Sequence, residues 1–191
     1  MPKIIFLMGV SGSWKTTVLK ESGILAWPDI IYVPSRTTRP LRPWEIDGIK
    51  YHHVSDDIFK DAIAHDQFLE HTYVHQIFRY GTPYKQIMDI LGQNKNPLKE
   101  LDMVGLLKIQ EQKKIDDKYI SIFLDIPTSL VMERIRQRGV LSEAEMKQRV
   151  ASADFESEQA KVHCDYIVDA TQQLELVIEN VINIIKSEIR K

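Results

Sequence analysis

Gly9-Val10-Ser11-Gly12-Ser13-Trp14-Lys15-Thr16 places two glycines, an ammonium and a hydroxyl in one short stretch, directly after the apolar run Ile4-Ile5-Phe6-Leu7-Met8. The spacing matches G-x-x-x-x-G-K-[ST] everywhere except Trp14, where the pattern has glycine. In such a loop the free backbone N–H groups and the positive end of the following helix cradle phosphates. Lys15 would reach the β and γ phosphates of a nucleotide donor, and the Thr16 hydroxyl would ligate magnesium. Gly9, Ser11, Gly12, Ser13, Trp14, Lys15, Thr16 and Thr17 are therefore the candidate ATP-binding residues. Trp14 is the discordant member, because a side chain forced to positive φ costs about 1–2 kcal/mol. An indole there also has to turn aside or obstruct the donor pocket.

A second concentration of chemistry runs from Ser35 to Ser55, where Arg39, Arg42, Glu45, Gly48 and Tyr51 are interleaved with Thr37 and Thr38. Two guanidinium groups can each make charge-assisted, bidentate bonds to a phosphate, with the tyrosine hydroxyl as a further donor. The run from Ser35 to Ser55 resembles the GMP-binding signature of guanylate kinases, S-x-T-T-R-x-P-R-x-G-E-x-x-G-x-x-Y-x-F-V-S. Phe68-Leu69-Glu70, Tyr80-Gly81-Thr82 and Glu100-Leu101-Asp102-Met103-Val104-Gly105 resemble that family's F-[IL]-E, Y-G-T and D-x-D-x-Q-G.

The resemblance implies that Arg39, Arg42, Tyr51 and Tyr80 hold the GMP phosphate, with Glu45 and Thr82 in the same site. It implies that Glu70, Ser35 and Asp102 read the guanine. A carboxylate accepting from guanine N1–H and N2–H₂ makes chemical sense, since adenine offers no such donor pair. By the same match Glu100 takes the acidic place near magnesium, and Arg134, Arg138 and Arg149 stabilise the phosphoryl group in flight. Asp169 stands where the family commonly has asparagine near the adenine. Val104 departs from the family's glutamine, and Gln76-Ile77-Phe78-Arg79 departs from its G-N-Y, which leaves Arg79 as a substitute phosphate contact or an exposed residue.

Elements that position these residues follow from periodicity. Apolar runs predict strands at Ile4–Met8, Ile30–Val33, Leu98–Asp102, Ile120–Leu124 and Tyr166–Val168. Helical spacing predicts helices at Lys15–Ser22, Tyr84–Leu91, Met103–Lys113, Ser129–Arg138, Ser142–Val162 and Leu174–Ile189. Such alternation is the pattern of an α/β protein, a parallel sheet between helical layers. With the phosphate loop it gives a P-loop NTPase three-layer α/β/α core. The stretch 35–82 breaks the rhythm and reads as a GMP-binding α+β insertion, with a turn at Asp47-Gly48 and a short helix near Asp56–Ala64. Residues 128–162 read as a helical lid, leaving 1–34, 83–127 and 163–191 as the core of a single domain.

The 191 residues are 43% apolar and 27% charged with a formal net charge of −2, so no broad basic surface speaks for nucleic acid. The apolar run at the amino terminus is far shorter than the roughly 20 residues of a membrane span, and no membrane partner is expected. One cysteine, Cys164, excludes an intramolecular disulfide and fits a reducing cytoplasm. None of the six histidines has metal-ligand spacing supported by other ligands. The expected partners are small nucleotides, ATP and GMP, acting on a monomer or homodimer.

Glycine is scarce, 8 residues of 191 against an average near 7%. Trp14 and Trp44 stand at family glycines, and Trp27 precedes Pro28 in a predicted turn where glycine would be natural, so every tryptophan is expected at a glycine-like position. Two readings account for this: real substitutions in a degenerate kinase, or a gene whose UGA codons mean glycine, translated as though they meant tryptophan. The expected activity is magnesium-dependent phosphoryl transfer from ATP to GMP. The alternatives are a guanylate-kinase-like binding module that has lost ATP, and a kinase for another small phosphorylated acceptor.

Overall fold

The computed structural model describes residues 1–74, 77–115, 118–136 and 143–190, with the side chains at 74, 135, 136 and 143–149 outside that description. Strand β1 (Ile4–Gly9) is buried along its whole length, as an unbroken apolar strand in the middle of a parallel sheet must be. The sheet has the order β2-β7-β1-β8-β9, its other strands being β2 (Ile30–Tyr32), β7 (Asn96–Glu100), β8 (Tyr119–Asp125) and β9 (Tyr166–Asp169). All neighbours in it run parallel. Helices α1 (Lys15–Glu21), α3 (Tyr84–Gly92), α4 (Met103–Gln112), α5 (Thr128–Arg136), α6 (Glu143–His163) and α7 (Leu174–Ile189) complete the α/β architecture.

Strand β7 lies two residues earlier than its apolar residues suggest. Asn96 and Pro97 look unlike a strand start, yet Asn96 is satisfied inside the sheet. Its Oδ1 accepts the Lys3 backbone N–H at 2.9 Å and its Nδ2 donates to the Asp29 carbonyl at 3.0 Å. The shift makes Glu100 the last strand residue and frees Asp102 to cap α4, where its carboxylate accepts the Gly105 N–H at 2.7 Å. The outer ends of the helices predicted at Ser129–Arg138 and Ser142–Val162 lie outside the described residues.

Helix α7 buries Val177, Val181 and Ile185 along one stripe and packs against α1. Its Glu188 accepts from Lys3 Nζ at 2.6 Å and from the Tyr166 hydroxyl at 2.8 Å, tying the helix to the amino-terminal ends of β1 and β9.

A second sheet, of order β4-β3-β6-β5, comprises β3 (Ser35–Thr37), β4 (Tyr51–His53), β5 (Phe68–Val74) and β6 (Phe78–Pro83). Its registers pair Ser35 with Tyr51, Thr37 with Tyr80, Thr72 with Tyr80 and Glu70 with Thr82. Side chains alternate along each strand, so Ser35, Tyr51, Glu70, Thr72, Tyr80 and Thr82 share one face. A register shift between Phe68 and Glu70 turns Phe68 to the other face. There it stacks on Phe59 of α2 (Asp56–Ala64), ring centroids 4.6 Å apart.

Gly81 lies under those rings, and a Cβ on it would stand 2.7 Å from Phe68 Cδ1 and 3.1 Å from Phe59 Cζ. Intrinsic propensity favours alanine over glycine in a strand by roughly 0.5–1 kcal/mol, whereas overpacking costs about 1–3 kcal/mol. Gly81→Ala is therefore expected to lower the urea midpoint, with partial recovery in Gly81→Ala/Phe68→Leu; an unchanged or raised midpoint in the single variant contradicts the packing argument.

Candidate active site

The phosphate loop leaves β1 at Gly9 and enters α1 at Lys15. Trp14 is the residue before the helix, at φ 67° and ψ 13°, the left-handed conformation that suits glycine. Its indole does not line the cleft described below and stacks on Arg134, whose Cζ lies 3.7 Å from the ring centroid. That guanidinium also donates to the Gly12 carbonyl at 2.9 Å and the Ala170 carbonyl at 3.2 Å, so α5, the loop and the end of β9 form one unit. Trp27 has an ordinary extended backbone, φ −72° and ψ 132°. Trp44 is absent from the positive-φ residues and 77% exposed. Of the three tryptophans, only Trp14 needs a glycine-like conformation, which corrects the sequence expectation for Trp27.

A cleft of about 320 Å³ separates the loop from the shared face of the second sheet. Gly9, Ser11 and Lys15 line one wall, Ser35, Tyr51, Glu70, Thr72 and Tyr80 the other, and Lys99 to Asp102 the floor. This is the carboxyl end of a parallel sheet, where the central strand's neighbours diverge, the general location of ligand sites in such folds. Lys15 Nζ donates to the Gly9 carbonyl and to the Val10 carbonyl, the latter at 3.0 Å.

Burial sets the charge states on the acceptor wall. Glu70 is 6% exposed, and burial pushes its carboxyl up to about 7, opposed by the Thr82 hydroxyl that donates to it at 2.6 Å. Lys99, buried on the floor, donates to the Val33 carbonyl at 3.2 Å and to Ser35 Oγ, and burial draws its ammonium below the ordinary lysine range. Glu156 of α6 also lines the cleft, and burial raises its carboxyl to about 7 against the pull of Lys15. Tyr51 is raised to about 12, chiefly by burial.

Arg39 stands behind Tyr51, 5.3 Å from its ring, and donates to both Glu45 carboxylate oxygens at 2.7 and 2.8 Å. That hydrogen bond holds Glu45 below the usual carboxylate range. Arg42 is exposed with its guanidinium over Trp44, and Arg79 is paired with Asp56 at 2.8 Å; neither lines the cleft. Asp169 accepts from the Thr171 N–H and hydroxyl, on the side of the loop where Arg134 meets Ala170. Arg138 and the side chain of Arg149 lie outside the described residues.

Thr16 and Glu100 converge on one positive charge. Lys50 Nζ donates to Thr16 Oγ1 at 3.1 Å and to Glu100 Oε2 at 3.0 Å. A hydroxyl and a carboxylate are hard oxygen donors of the kind magnesium takes, so the pair fits a divalent cation. Among the described residues no group of three or more His, Cys, Asp or Glu side chains is placed to hold a metal. Lys50, Thr72, Lys99 and Glu156 are site residues that sequence reasoning missed. Only Lys50 carried a signal, its place beside Tyr51 in the acceptor segment.

The sequence model for the family described as guanylate kinase matches residues 1–188. A guanylate kinase of Clostridium perfringens (strain SM101 / Type A) is 34% identical over 183 residues, covering 92% of this chain and 82% of that protein. A guanylate kinase of Onion yellows phytoplasma (strain OY-M) is 34% identical over 186 residues, covering 97% and 85%. The crystal structure of guanylate kinase from Anaplasma phagocytophilum superposes with a TM-score of 0.74 at 24% identity, over all of this chain and 88% of that one. That likeness supports the P-loop α/β fold, and the match along 188 residues, with relatives aligned over nine-tenths of the sequence, places the chain in the guanylate kinase family.

Proposed function

We propose that the protein transfers the γ-phosphoryl group of ATP to GMP, giving ADP and GDP. The observation that carries this reading is a cleft with the Lys15 loop on one wall and the polar face of Ser35, Tyr51, Glu70, Thr72 and Tyr80 on the other. Glu70 as a carboxylate accepts from the guanine N1–H and N2–H₂, and Ser35 and Asp102 complete the recognition. Tyr51, Tyr80 and the Arg39 guanidinium hold the acceptor phosphate once Arg39 shares its donors between Glu45 and the ligand, and Arg42 joins them only by leaving Trp44 for the cleft.

On the donor side Lys15 leaves the Gly9 and Val10 carbonyls for the β and γ phosphates. An acceptor phosphate oxygen attacks the γ phosphorus as the bond to the β–γ bridging oxygen breaks. Positioning and charge stabilisation are most of what a protein supplies to such a transfer. Lys15 does this from the loop, with Arg138 and Arg149 as further cationic contributors. Arg134 acts by holding the loop through Gly12. Magnesium held by Thr16 and Glu100 would neutralise phosphate charge and orient the donor. Excluding water from the closed cleft limits wasteful hydrolysis. The expected setting is the cytoplasm; no helix among the described residues is long and apolar enough to cross a membrane.

The left-handed Trp14 favours a second reading, a binding module that keeps the acceptor site and has lost ATP. A coupled assay for ADP with GMP, AMP and dGMP, run on the protein and on Trp14→Gly, separates the two. ADP formation with GMP by both supports the kinase, formation only by Trp14→Gly identifies the indole as the obstruction, and none in either overturns the kinase reading. UGG codons at positions 14, 27 and 44 would exclude a glycine written in another code.

The raised Glu70 predicts a pH dependence. Below about 7 its carboxyl is protonated in the empty cleft, so GMP must displace a proton, and KM for GMP is expected to rise by up to about tenfold per pH unit. Glu70→Gln should bind GMP more weakly and flatten this part of the profile. The stability sign follows from the same shift. Glu70's contribution is fully present below its ordinary value of 4.5 and is lost as pH rises through about 7. Urea titrations of the protein and Glu70→Gln between pH 5 and 8 check this on the order of one pH unit; parallel curves would refute it.

A further inference from the structure

Lys50 belongs to the acceptor segment by sequence, immediately before Tyr51, yet its ammonium reaches across to the donor side. It donates to Thr16 Oγ1 at 3.1 Å and Glu100 Oε2 at 3.0 Å, forms an ion pair with Glu100, and lies 5.9 Å from the Tyr51 ring. Glu100 has a second contact, accepting from the Tyr32 hydroxyl at 3.4 Å. Three separate elements, the start of α1, the end of β7 and the entry to β4, therefore meet at one cationic atom.

Thr16 and Glu100 are the two side chains with the chemistry to hold the magnesium of the proposed reaction, and Lys50 satisfies both. Magnesium bonds oxygen at about 2.0–2.1 Å, so an ion bound by both groups would need the volume that the ammonium fills. It would also carry charge of the same sign as the ammonium. The two cannot share the position.

We propose that Lys50 is a tethered counter-ion of the divalent-cation site: it holds Thr16 and Glu100 in the nucleotide-free protein, excludes free divalent cations, and is displaced when a metal arrives already bound to donor phosphates. The proposal rests on the kinase reading for the identity of the metal ligands. The donor phosphates supply the oxygens that the protein does not, since the described residues offer no cluster of three acidic, histidine or cysteine ligands. They also offer the displaced ammonium a new anionic partner. Lys50 is thus a positioning residue that couples metal entry to nucleotide entry.

The test uses Mn²⁺ alone, titrated into the nucleotide-free protein and followed by the electron paramagnetic resonance of free Mn²⁺. Lys50→Met and Lys50→Gln are both made, with folding checked by circular dichroism. Each is expected to bind Mn²⁺ at least tenfold more tightly than the unsubstituted protein, and adding Glu100→Gln should abolish the gain. A Mn²⁺ affinity in both Lys50 variants equal to that of the unsubstituted protein would overturn the proposal, as would a gain that survives Glu100→Gln. Because the readout needs neither ATP nor GMP, failure here is distinguishable from failure of the kinase reading, which the ADP assay reports.

Discussion

A Cβ on Gly9 would stand 2.5 Å from the Leu124 carbonyl oxygen, and the backbone there has φ 146°. Strand β1 is enclosed between β7 and β8 with Gly9 in register with Leu124. The chain therefore leaves the sheet at that position only because it is bare. Everything on the donor side hangs from this exit. Ser11 reaches the cleft, Lys15 starts α1 with its ammonium over the Gly9 and Val10 carbonyls, and Thr16 meets the cation held by Glu100. A side chain at residue 9 would have to move β8 or the loop, and either change separates Lys15 from the acceptor wall.

The cleft balances its charges by burying opposite signs together. Glu70 and Lys99 are each shifted toward their neutral forms by loss of solvent, and each is pulled back by the other. On the donor side buried Glu156 feels the charge of Lys15, and between the two walls Glu100 forms an ion pair with Lys50. Without ligand they are held by internal partners: Lys99 by the Val33 carbonyl and Ser35, Lys15 by the Gly9 and Val10 carbonyls, Glu70 by Thr82, and Glu100 by Lys50. In the proposed reaction a nucleotide would bring phosphates for the cations and N–H donors for the acids, so binding would exchange internal partners for external ones at little cost in unpaired charge.

Much of this arrangement was legible in the sequence because it depends on local spacing. The phosphate loop and the helical spacing of α7 are fixed by neighbours in the chain, and Tyr80 with Thr82 was marked by the short run resembling the family's Y-G-T. What sequence reasoning lost depends on distant partners. Lys99 in a buried strand looks like an error until the Val33 carbonyl and Ser35 are seen above it. Lys50 reads as one more surface cation until Thr16 and Glu100 surround it. The direction of Trp14 was invisible for the same reason, since it is decided by Arg134, 120 positions away on α5. The start of β7 was obscured by Asn96, a polar residue whose bonds reach Lys3 and Asp29.

The clasp between Lys3 and Glu188 joins residues 185 positions apart, and α7 also supports α1. During synthesis the phosphate loop therefore emerges well before the helix that backs it. Closing so long a loop carries an entropic cost that only the assembled core repays. A ribosome-bound chain still lacking α7 holds the loop's residues without the support that shapes them. The support behind the loop is thus complete only when α7 docks, whatever the order in which the sheet forms.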